Sequence, residues 1–597
     1  MTVPDLPPSL LLIAGAFLVP LLRGTARNVY LVLLPLAALG LVALLPETAP
    51  GAGLSVQLLG GFEKLQMLRV DKLSRAFGII FTLNAAAAFL FAFHVKKAAQ
   101  HTAALVYIGS ALGVVFSGDL ISFYLFWEMM AIASAFIILS RDTERARRTA
   151  FRYFLVHVFG GLLLLAGIVM TITRTGSTAF AAYDWHSADA GTWLMLLGIL
   201  VNAAAPPVSA WLPDSYPEAS VTGGLILSAY TTKTSVYALL RGFEHWEPLI
   251  WIGCAMTIYG IIFALLENDM RRILAYSIIN QVGFMVCAAG IGGAMAVNGA
   301  VAHAFCHIIY KSLLWMSAGA VLYRTGLSKC TDLGGLYRTM PLTLILGTIG
   351  AMAISAVPLT SGFTSKTMIV AAAEHRHLLW PWLILEIASA GVFLHAGIKF
   401  PYFVFFAKDS GLRPPEAPRT MLAAMGILAF LCLYLGIHPE PLYHLLPYPV
   451  EYQAYTAAKL VTQSQLLIFS ALVFFLFLKL LKRTPTIVLD TDWFYRKGTP
   501  LLTRTLDATL NGINRIAYRS LAQGLTARLS AFLSDGPARL VGALATPLLL
   551  LRGLRGEALQ AGRADLQQRS RNSAFPIGFL ACIAVLMLAA LVLVFHK

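Results

Sequence analysis

Apolar stretches as long as a membrane span follow one another along nearly the whole chain. A helix needs about 20 mostly apolar residues to cross the hydrocarbon core of a bilayer. Sixteen such stretches are predicted, at 8–22, 28–46, 72–93, 103–117, 120–140, 151–173, 192–212, 221–241, 249–266, 273–294, 297–322, 340–375 (interrupted), 380–407, 419–438, 465–481 and 575–595. Lipid tolerates only helices and closed barrels, and the alternating pattern of barrel strands does not occur. The sequence predicts an all-α integral membrane protein with about 16 transmembrane helices.

The low content of charged residues supports this fold class. Only 12% of the 597 residues are charged and 58% are hydrophobic, whereas soluble proteins carry about 25% charged residues. The composition excludes a soluble enzyme, a disordered protein and a nucleic-acid binder, although 45 basic residues face 29 acidic ones. In a membrane protein such basic residues gather in cytoplasmic loops and near anionic headgroups.

Basic loops predict the orientation of the chain. With 16 spans, five basic loops fall on one side of the membrane, at Arg23–Arg27, Lys96–Lys97, Arg141–Arg148, Arg271–Arg272 and Arg324–Lys329. The positive-inside rule makes this side cytoplasmic and places the N-terminus outside. The first apolar stretch lacks a preceding basic segment, so we expect a retained span and not a cleaved signal peptide. The prediction is a multi-pass protein of the cytoplasmic (inner) membrane.

No residue pattern for a cofactor or a metal occurs. None of the six cysteines forms a Cys-x-x-Cys pair, which argues against an iron–sulfur cluster, a structural zinc site and a disulfide framework. A glycine-rich phosphate loop is also missing. We therefore predict no cofactor, no metal and no enzymatic activity of the chain itself.

Two of the predicted spans contain helix-breaking residues. Pro206 and Pro207 lie in the seventh span, and Pro358 and Gly362 lie in the twelfth. Freed carbonyls at membrane depth survive only where they face protein or water. Two broken spans five apart predict two inverted five-helix repeats, formed by spans 4–8 and 9–13. Residue-level identity between the halves is not apparent, and ordinary kinks are the alternative.

Single ionisable residues lie inside several spans. A charge at the bilayer centre costs roughly 2.5–3.5 kcal/mol on insertion scales. Glu128 lies in the fifth span, Lys233 near the middle of the eighth, and Lys366 after the break in the twelfth. We predict proton-binding sites at these positions. The alternatives are a hydrogen-bonding anchor for Glu128 and a lysine that extends toward the headgroups for Lys233.

A row of basic side chains follows one face of the eleventh span. His303, His307 and Lys311 are spaced i, i+4 and i+8, so they form a stripe about 12 Å long. Histidine titrates near neutral pH, and the stripe is therefore predicted to relay protons. A zinc site lacks a third ligand nearby, and plain packing is the alternative.

The thirteenth span adds three more ionisable groups, Glu386, His395 and Lys399. His395 and Lys399 share a helix face, although Lys399 is also placed to extend toward the membrane surface. So many titratable groups in one set of spans predict ion movement along a buried row.

These residues lie in motifs that resemble a known family. FYLFWEMM, WLPDSYPEAS, ENDMRRILAYSIINQVGFM, HAFCHIIYKSLLWMSAGAV and LTSGFTSK occur in the family order. They resemble the antiporter-like subunits shared by Mrp-type Na+/H+ antiporters and the membrane arm of respiratory complex I. The resemblance covers roughly residues 70–410, and WLPDSYPEAS and TTKTSVYALLR favour the D-type Mrp subunits.

The resemblance implies roles for individual residues. Glu128 matches the glutamate of the entrance half-channel, with Asp119 as an acidic residue just before its span. Lys233 matches a lysine that some members carry in span eight. His303, His307 and Lys311 match the central relay, and Lys366 matches the residue that leads to the exit half-channel.

One position departs from the family pattern. Many members carry a lysine nine residues before the tryptophan of the WLPD motif, where this chain has Asn202. Asparagine can hydrogen-bond but cannot carry a positive charge. Either Lys233 takes over this role or the first half-channel works differently.

The region after the fifteenth span has a different character. A helical repeat of apolar residues with interleaved arginines predicts a basic amphipathic helix along the membrane surface or partner subunits. The repeat consists of Leu502, Leu506, Leu510, Ile513, Ala517, Leu521, Leu525 and Leu529. Pro537 and Pro547 are expected to interrupt this helix. The arrangement resembles the lateral helix and last span of a distal complex I subunit.

These observations divide the chain into six predicted regions, at 1–100 (N-terminal helices), 101–245 and 246–410 (the half-channel repeats), 411–481 (accessory helices), 482–574 (lateral segment) and 575–597 (last span). The predicted function is a proton-translocating subunit of a multisubunit monovalent cation (Na+)/proton antiporter. A proton-pumping subunit of a complex I-like dehydrogenase or membrane-bound hydrogenase is the alternative, and a non-conducting scaffold is a third. Expected partners are other membrane subunits and lipid, without nucleic acid.

Overall fold

A computed structural model describes residues 6–48, 55–57, 64–481, 483–484, 489–573 and 577–595. Helices dominate these residues, as the apolar stretches predict. They fall into two compact units, at 1–492 and 493–597. The described strands β1 (Ser55–Gln57) and β2 (Lys64–Gln66) form one short antiparallel hairpin between the second and third helices. The fold class is therefore all-α.

Nineteen α-helices lie in the described part of the first unit. They are α1 (Pro8–Ala16), α2 (Gly24–Leu44), α3 (Lys72–Phe91), α4 (Ala98–Phe116), α5 (Leu120–Leu139), α6 (Glu144–Thr175), α7 (Ala190–Asn202), α8 (Trp211–Ser215), α9 (Val221–Ala229), α10 (Thr231–Gly242), α11 (Glu247–Leu266), α12 (Met270–Ile291), α13 (Gly293–Thr325), α14 (Pro341–Ile354), α15 (Ser361–His375), α16 (Leu379–Val392), α17 (Arg419–Ile437), α18 (Glu440–Tyr443) and α19 (Ala457–Leu476). Short 3-10 turns lie at Val19–Leu21, Ala92–His94, Trp185–Ser187, Tyr216–Glu218, Cys330–Asp332 and Leu336–Arg338, and π-helical turns extend α16 at Phe393–Lys399 and Tyr402–Phe406.

Eleven helices among the described residues are long and apolar enough to cross a membrane. Each of the other five predicted spans also coincides with helix, in a short or broken form. These are 8–21, α7 with α8, α9 with α10, α14 with α15, and a last helix that begins at residue 577. The chain is thus a multi-pass membrane protein, and the total of 16 spans stays a prediction.

Equivalent helices in the two halves of the first unit begin in the same way. Asp119 caps α5 by accepting hydrogen bonds from the N–H groups of residues 121 and 122, and Asp269 caps α12 through residues 271 and 272. A backbone bridge joins Asp119 to Ala179, and an equivalent bridge joins Asp269 to Lys329. Each pair of positions is 150 residues apart. The chain therefore contains an internal repeat.

The helix breaks repeat as well. After α7, Ala204 adopts a φ of 62°, and after α14, Ala356 adopts a φ of 56°. The N–H of Ala205 donates to Leu200 O, and the N–H of Val357 donates to Met352 O, both at 3.1 Å. Because five spans separate equivalent helices, the equivalents cross the membrane in opposite directions. The breaks are thus repeat features and not ordinary kinks.

Residue identities accompany this geometry, which corrects the expectation from sequence. Arg174–Gly176 and Arg324–Gly326 both read Arg-Thr-Gly, and both glycines end a long helix in the left-handed conformation. A glycine in the left-handed conformation commonly follows the last turn of a helix. The identities are few and lie at helix ends, so they are hard to find without the structure.

A third break interrupts the eighth span, where the sequence predicts a continuous helix. α9 ends at Ala229 and α10 begins at Thr231, with Tyr230 between them at φ −109° and ψ −64°. Lys233 therefore lies in the first turn of a helix and not in the middle of one.

A buried arginine ties the two halves together. Arg271, at the start of α12, donates to the carbonyls of Pro217 and Ala219 at 2.8 and 3.0 Å and to Ser220 O at 2.9 Å. Its guanidinium lies over the ring of Trp315, 5.2 Å from the centroid. These contacts fix the loop after the broken seventh span against the second half.

The second unit consists of helices in its described part. They are α20 (Asp492–Leu506), α21 (Gly512–Ala517), α22 (Thr526–Leu551), α23 (Glu557–Ser573) and α24 (Ile577–Phe595), with π-helical turns at Asp507–Asn511 and Tyr518–Leu525. Helix continues without a gap to Leu551, and Pro537 and Pro547 lie inside it. The expected interruption is wrong, because each proline removes one hydrogen bond while its neighbours keep theirs. α23 packs back along α22, where Arg571 bonds to Asp535. A position on the membrane surface stays a prediction.

Gly362 provides a test of the second break. A Cβ at this position would lie 1.8 Å from Ala353 O, a backbone atom of α14 that cannot move away cheaply. Gly362→Ala is expected to lower stability by about 1–3 kcal/mol, typical of overpacking. Thermal unfolding in detergent measures this loss. Gly426→Ala, which adds a Cβ in open space, is the control and should unfold like the wild type; equal behaviour of both variants would contradict the close approach.

Candidate functional site

The predicted histidines of α13 lie in a buried polar network. His303 Nε2 lies 3.1 Å from Gln281 Oε1, and His303 Nδ1 lies 3.2 Å from Ser365 Oγ. Tyr310 donates to the same Gln281 oxygen at 3.1 Å. The network thus joins α12, α13 and α15 around one imidazole.

Lys366 lies directly after Ser365 and uses the helix break. Its Nζ donates to Ile354 O at 2.7 Å, a carbonyl that the end of α14 leaves free. The carboxyl end of a helix carries partial negative charge, so it stabilises the ammonium form against the cost of burial. The ring of Phe284 lies 5.4 Å away and adds a cation–π contact.

A cavity of about 260 Å³ adjoins Lys366. Glu374, Glu386, Lys459 and Gln463 line it together with Lys366. Glu374 lies about 12 Å beyond Lys366 along α15. The cavity therefore leads from the middle of the broken span toward its end, and Glu386 lines it.

Lys233 repeats the arrangement of Lys366 at the third break. Its Nζ donates to Ser228 O at 2.6 Å and lies 3.1 Å from Thr232 Oγ1. The charge of Lys233 also interacts with those of His307 and Lys311. Lys233 therefore belongs to the same cluster as the α13 row, although the eighth span is part of the first half of the repeat.

His307 and Lys311 are buried without partners. Among the described residues, neither ring nitrogen of His307 nor Lys311 Nζ has a hydrogen-bond partner. An orphaned buried donor costs about 1–3 kcal/mol. Such groups are normally satisfied by internal water.

His395 and Lys399 lie on the π-helical turn that follows α16. His395 Nδ1 bonds to Gly391 O at 2.8 Å, and its charge interacts with Lys311 and Lys366. Lys399 points elsewhere and donates to the carbonyls of residues 264, 265 and 267 at the end of α11. His395 thus borders the cluster, whereas Lys399 caps a helix.

Glu128 stands apart from this cluster. Its side chain is half-buried on α5, and a Cβ on Gly161 of α6 would lie 2.0 Å from Glu128 Oε1. The glycine thus makes room for the carboxylate. Oε1 has no hydrogen-bond partner among the described residues. The structure therefore places Glu128 in the first half, against Gly161 of α6.

Two further predicted residues have different surroundings. Asn202 is the last residue of α7, and neither polar atom of its side chain has a partner in the described part of the protein. It therefore offers hydrogen bonds at the first break, where a lysine is absent. Asp119 uses its carboxylate for the N-cap of α5, which gives it a structural task.

His157 of α6 was not predicted from the sequence. His157 lies 150 positions before His307, and one helical turn before Gly161. The ring centroids of Tyr153 and Trp211 lie 3.9 and 4.6 Å from that of His157. His157 Nε2 has no hydrogen-bond partner among the described residues. The shared spacing of the Arg-Thr-Gly segments was the signal that predicts it. Gln281 and Tyr310 were missed because they carry no charge.

The repeat distributes charge unevenly between its halves. Lys311 has Gly161 as its counterpart, and Glu128 has Ile278, each 150 positions apart. At these two pairs of positions, the first half thus has a carboxylate and no lysine, and the second half has a lysine and no carboxylate.

Known proteins share parts of this sequence. The family described as "NADH:quinone oxidoreductase/Mrp antiporter, TM" matches residues 117–392. The A/B subunit of a probable K(+)/H(+) antiporter of Rhizobium meliloti is 32% identical over 56% of this chain and 36% of its own length. The A1 subunit of a Na(+)/H(+) antiporter of Staphylococcus aureus is 28% identical over 56% of this chain and 47% of its own length. The chain thus spans less than half of either relative, and the likeness to D-type Mrp subunits stays a prediction.

Two solved structures share the fold. A chain of the Mrp complex from Dietzia sp. matches with a TM-score of 0.64 and 20% identity, over 74% of this chain and 96% of its own. A chain of the membrane-bound sulfane sulfur reductase, an archaeal respiratory complex, matches with a TM-score of 0.69 and 23% identity. That match covers 89% of this chain and 99% of the other.

The helix-capping geometry of Lys399 predicts a structural phenotype. Lys399→Met removes three charge-assisted hydrogen bonds from the end of α11, each worth about 1.5–3 kcal/mol. We expect the unfolding temperature in detergent to fall, with the transport rate per folded molecule unchanged. Lys408→Met, on an exposed loop, is the control. Unchanged stability, or loss of transport in fully folded Lys399→Met, would contradict the capping assignment.

Proposed function

We propose that this chain, whose residues 117–392 match the NADH:quinone oxidoreductase/Mrp antiporter family, is a proton-translocating subunit of a multisubunit monovalent cation/proton antiporter. The observation that carries the proposal is the buried row of His303, His307, Lys311 and Lys366, joined to Lys233 and to a cavity. Buried titratable groups at membrane depth are expensive and mark ion pathways.

The surroundings of His303 suit both of its protonation states. In the neutral state, the Ser365 hydroxyl can donate to His303 Nδ1. In the protonated state, Nδ1–H donates to Ser365 Oγ, whose hydrogen turns to Ser361 O at 2.9 Å. Rotation of one hydroxyl thus follows the arrival and departure of a proton, without movement of the backbone.

Charge couples the successive sites. Lys233, Lys311 and His307 interact electrostatically, and so do Lys366 and His303. A proton that arrives at one member makes protonation of its neighbour less favourable. Each arrival therefore favours release from the next site along the row toward Lys366.

The cavity beside Lys366 provides the exit. Glu386 attracts the charge of Lys366, and Glu374 lies nearer the end of α15. Under the predicted orientation, this end of α15 lies outside the cytoplasm. Protons thus exchange between Lys366 and the outer surface along carboxylates.

The coupled ion and the assembly belong to this proposal. The similar proteins are named as subunits of K(+)/H(+) and Na(+)/H(+) antiporters, and we propose a monovalent cation, with Na+ first. The partners are other membrane subunits, the location is the cytoplasmic membrane with an outside N-terminus, and the chain is part of a transporter and not an enzyme.

A second candidate is a proton-pumping subunit of a redox-driven respiratory complex. The share of this chain that matches the sulfane sulfur reductase chain, 89%, exceeds the 74% that matches the Mrp chain. Proteins that co-purify with the chain in mild detergent decide between the two. Small membrane subunits alone support the antiporter, whereas flavin or iron–sulfur subunits support the redox complex.

Lys311→Ala tests the proton row. The variant removes the central ammonium, and we expect cation-dependent proton flux in vesicles that contain the assembled complex to fall by at least about 100-fold, the scale of a lost proton-transfer group. The amount of assembled complex should not change, because Lys311 Nζ makes no hydrogen bond within the described residues. Lys408→Ala, on an exposed loop, is the matched control. Wild-type flux in Lys311→Ala would refute the proposed function.

Gly161→Ala tests the position of the Glu128 carboxylate against α6. The new methyl group takes the place of Glu128 Oε1, so the carboxylate must rotate away from α6. We expect proton flux to fall severalfold with little loss of stability, because the end of a flexible side chain moves easily. Gly426→Ala is the control for an added methyl group in open space. Full flux in Gly161→Ala would exclude a role for this position of Glu128.

A further inference from the structure

A carboxylate from the C-terminal part of the first unit is inserted between α11 and α12. Asp490 is buried, and Tyr276 donates to its Oδ2 at 2.6 Å. Tyr259 donates to its Oδ1, which also accepts from the N–H of Thr491. None of the described side chains forms an ion pair with Asp490.

Asp490 contacts α12 within its first two turns. Tyr276 lies six residues after Met270, the first residue of α12, or about 9 Å along the helix. Burial of an unpaired carboxylate at such a place is costly. A protein retains such a group where it serves a purpose that a neutral side chain does not.

Arg483 makes a contact with α11 that is independent of this carboxylate. Arg483, from the same segment, donates to Leu265 O at 3.1 Å and to Glu267 O at 2.8 Å. Its guanidinium also lies over the ring of Phe403. Arg483 is therefore held at the end of α11, seven residues before Asp490.

Polar side chains continue from Asp490 toward His303. Asn280 lies one helical turn after Tyr276, and its Oδ1 accepts from Gln281 Nε2. Gln281 Oε1 in turn lies 3.1 Å from His303 Nε2. The hydroxyl of Ser277, one turn before Gln281, is buried without a partner among the described residues, and it occupies the interval between Tyr276 and this pair. One helical turn therefore separates the Asp490 site from the central network.

The internal repeat shows what the second half lacks. Ile278 occupies the position of Glu128, so α12 has no carboxylate of its own there. Asp490 reaches α12 at Tyr276, on a different face of this helix from Ile278. A carboxylate thus stands beside the equivalent helix in both halves, supplied by the helix itself in one half and by a distant segment in the other.

We propose that Asp490 is a proton-binding site that supplies the second half with a carboxylate beside α12, which has none of its own at Ile278. The proposal rests on the proposed function above. Asp490 exchanges protons with the side of the membrane on which the α11–α12 loop lies, which the basic residues mark as cytoplasmic. The protons pass from Asp490 to His303 through internal water that hydrogen-bonds to Ser277, Asn280 and Gln281, and the two amides only orient this water. With Lys366 and its cavity, the second half then contains a complete path across the membrane.

Asp490→Asn tests this site in the assembled complex, reconstituted in lipid vesicles with its native partners. The amide keeps the shape and still accepts a hydrogen bond, but it cannot bind a transferable proton. We expect proton flux per assembled complex to fall at least about tenfold. Asp490→Glu should keep most of the flux. Asp507→Asn, an exposed acid of the second unit, is the control and should match the wild type.

The outcomes separate this inference from the proposed function. Wild-type flux in Asp490→Asn, with flux lost in Lys311→Ala, overturns the Asp490 site alone. No flux in the wild-type complex refutes the proposed function itself. Loss of assembly in Asp490→Asn, or equal loss of flux in Asp490→Asn and Asp490→Glu, would show a purely structural role and would also overturn the proposal.

Discussion

Lysine ammonium groups bonded to freed helix carbonyls are the interaction on which this structure depends. Lipid offers no hydrogen bonds, so a broken helix and a buried cation are each unfavourable alone. Lys366 with Ile354 O and Lys233 with Ser228 O satisfy both at once. The breaks therefore hold the charges at membrane depth, and the charges hold the breaks open. A proton path can be built around such pairs, because the helix end stabilises the protonated lysine without a fixed carboxylate that would trap it.

The internal repeat explains how one fold carries two unequal halves. Helix caps, breaks and left-handed glycines recur at a nearly constant interval, because they determine the backbone. Side chains that face the path do not recur, as Gly161 with Lys311 and Glu128 with Ile278 show. The scaffold is therefore symmetric while the chemistry is not. His157 and His307 are the pair that both halves keep.

The sequence predicted much of the fold and only part of the site. Span length and proline position predicted the helices and two breaks, because hydrophobic length and backbone hydrogen bonds act locally. The break at Tyr230 has no proline and was missed. The stripe of His303, His307 and Lys311 follows from helical spacing, whereas the separation of Glu128 from it depends on tertiary packing. The hydrogen-bond partners of Lys399 and Asp490 could not be predicted, since they lie more than 100 residues away along the chain.

Ordered water near the central row tests the account most directly. His307 and Lys311 are buried without protein partners among the described residues. A continuous proton path requires water that joins them to Lys233 and to the cavity at Lys366. A cryo-EM map of the complex in lipid, at a resolution that shows ordered water, is predicted to contain a connected chain of water molecules from Lys233 past Lys311 to Glu386. Tight leucine, isoleucine or aromatic packing around Lys311, with no water within hydrogen-bond distance of Nζ, would contradict it.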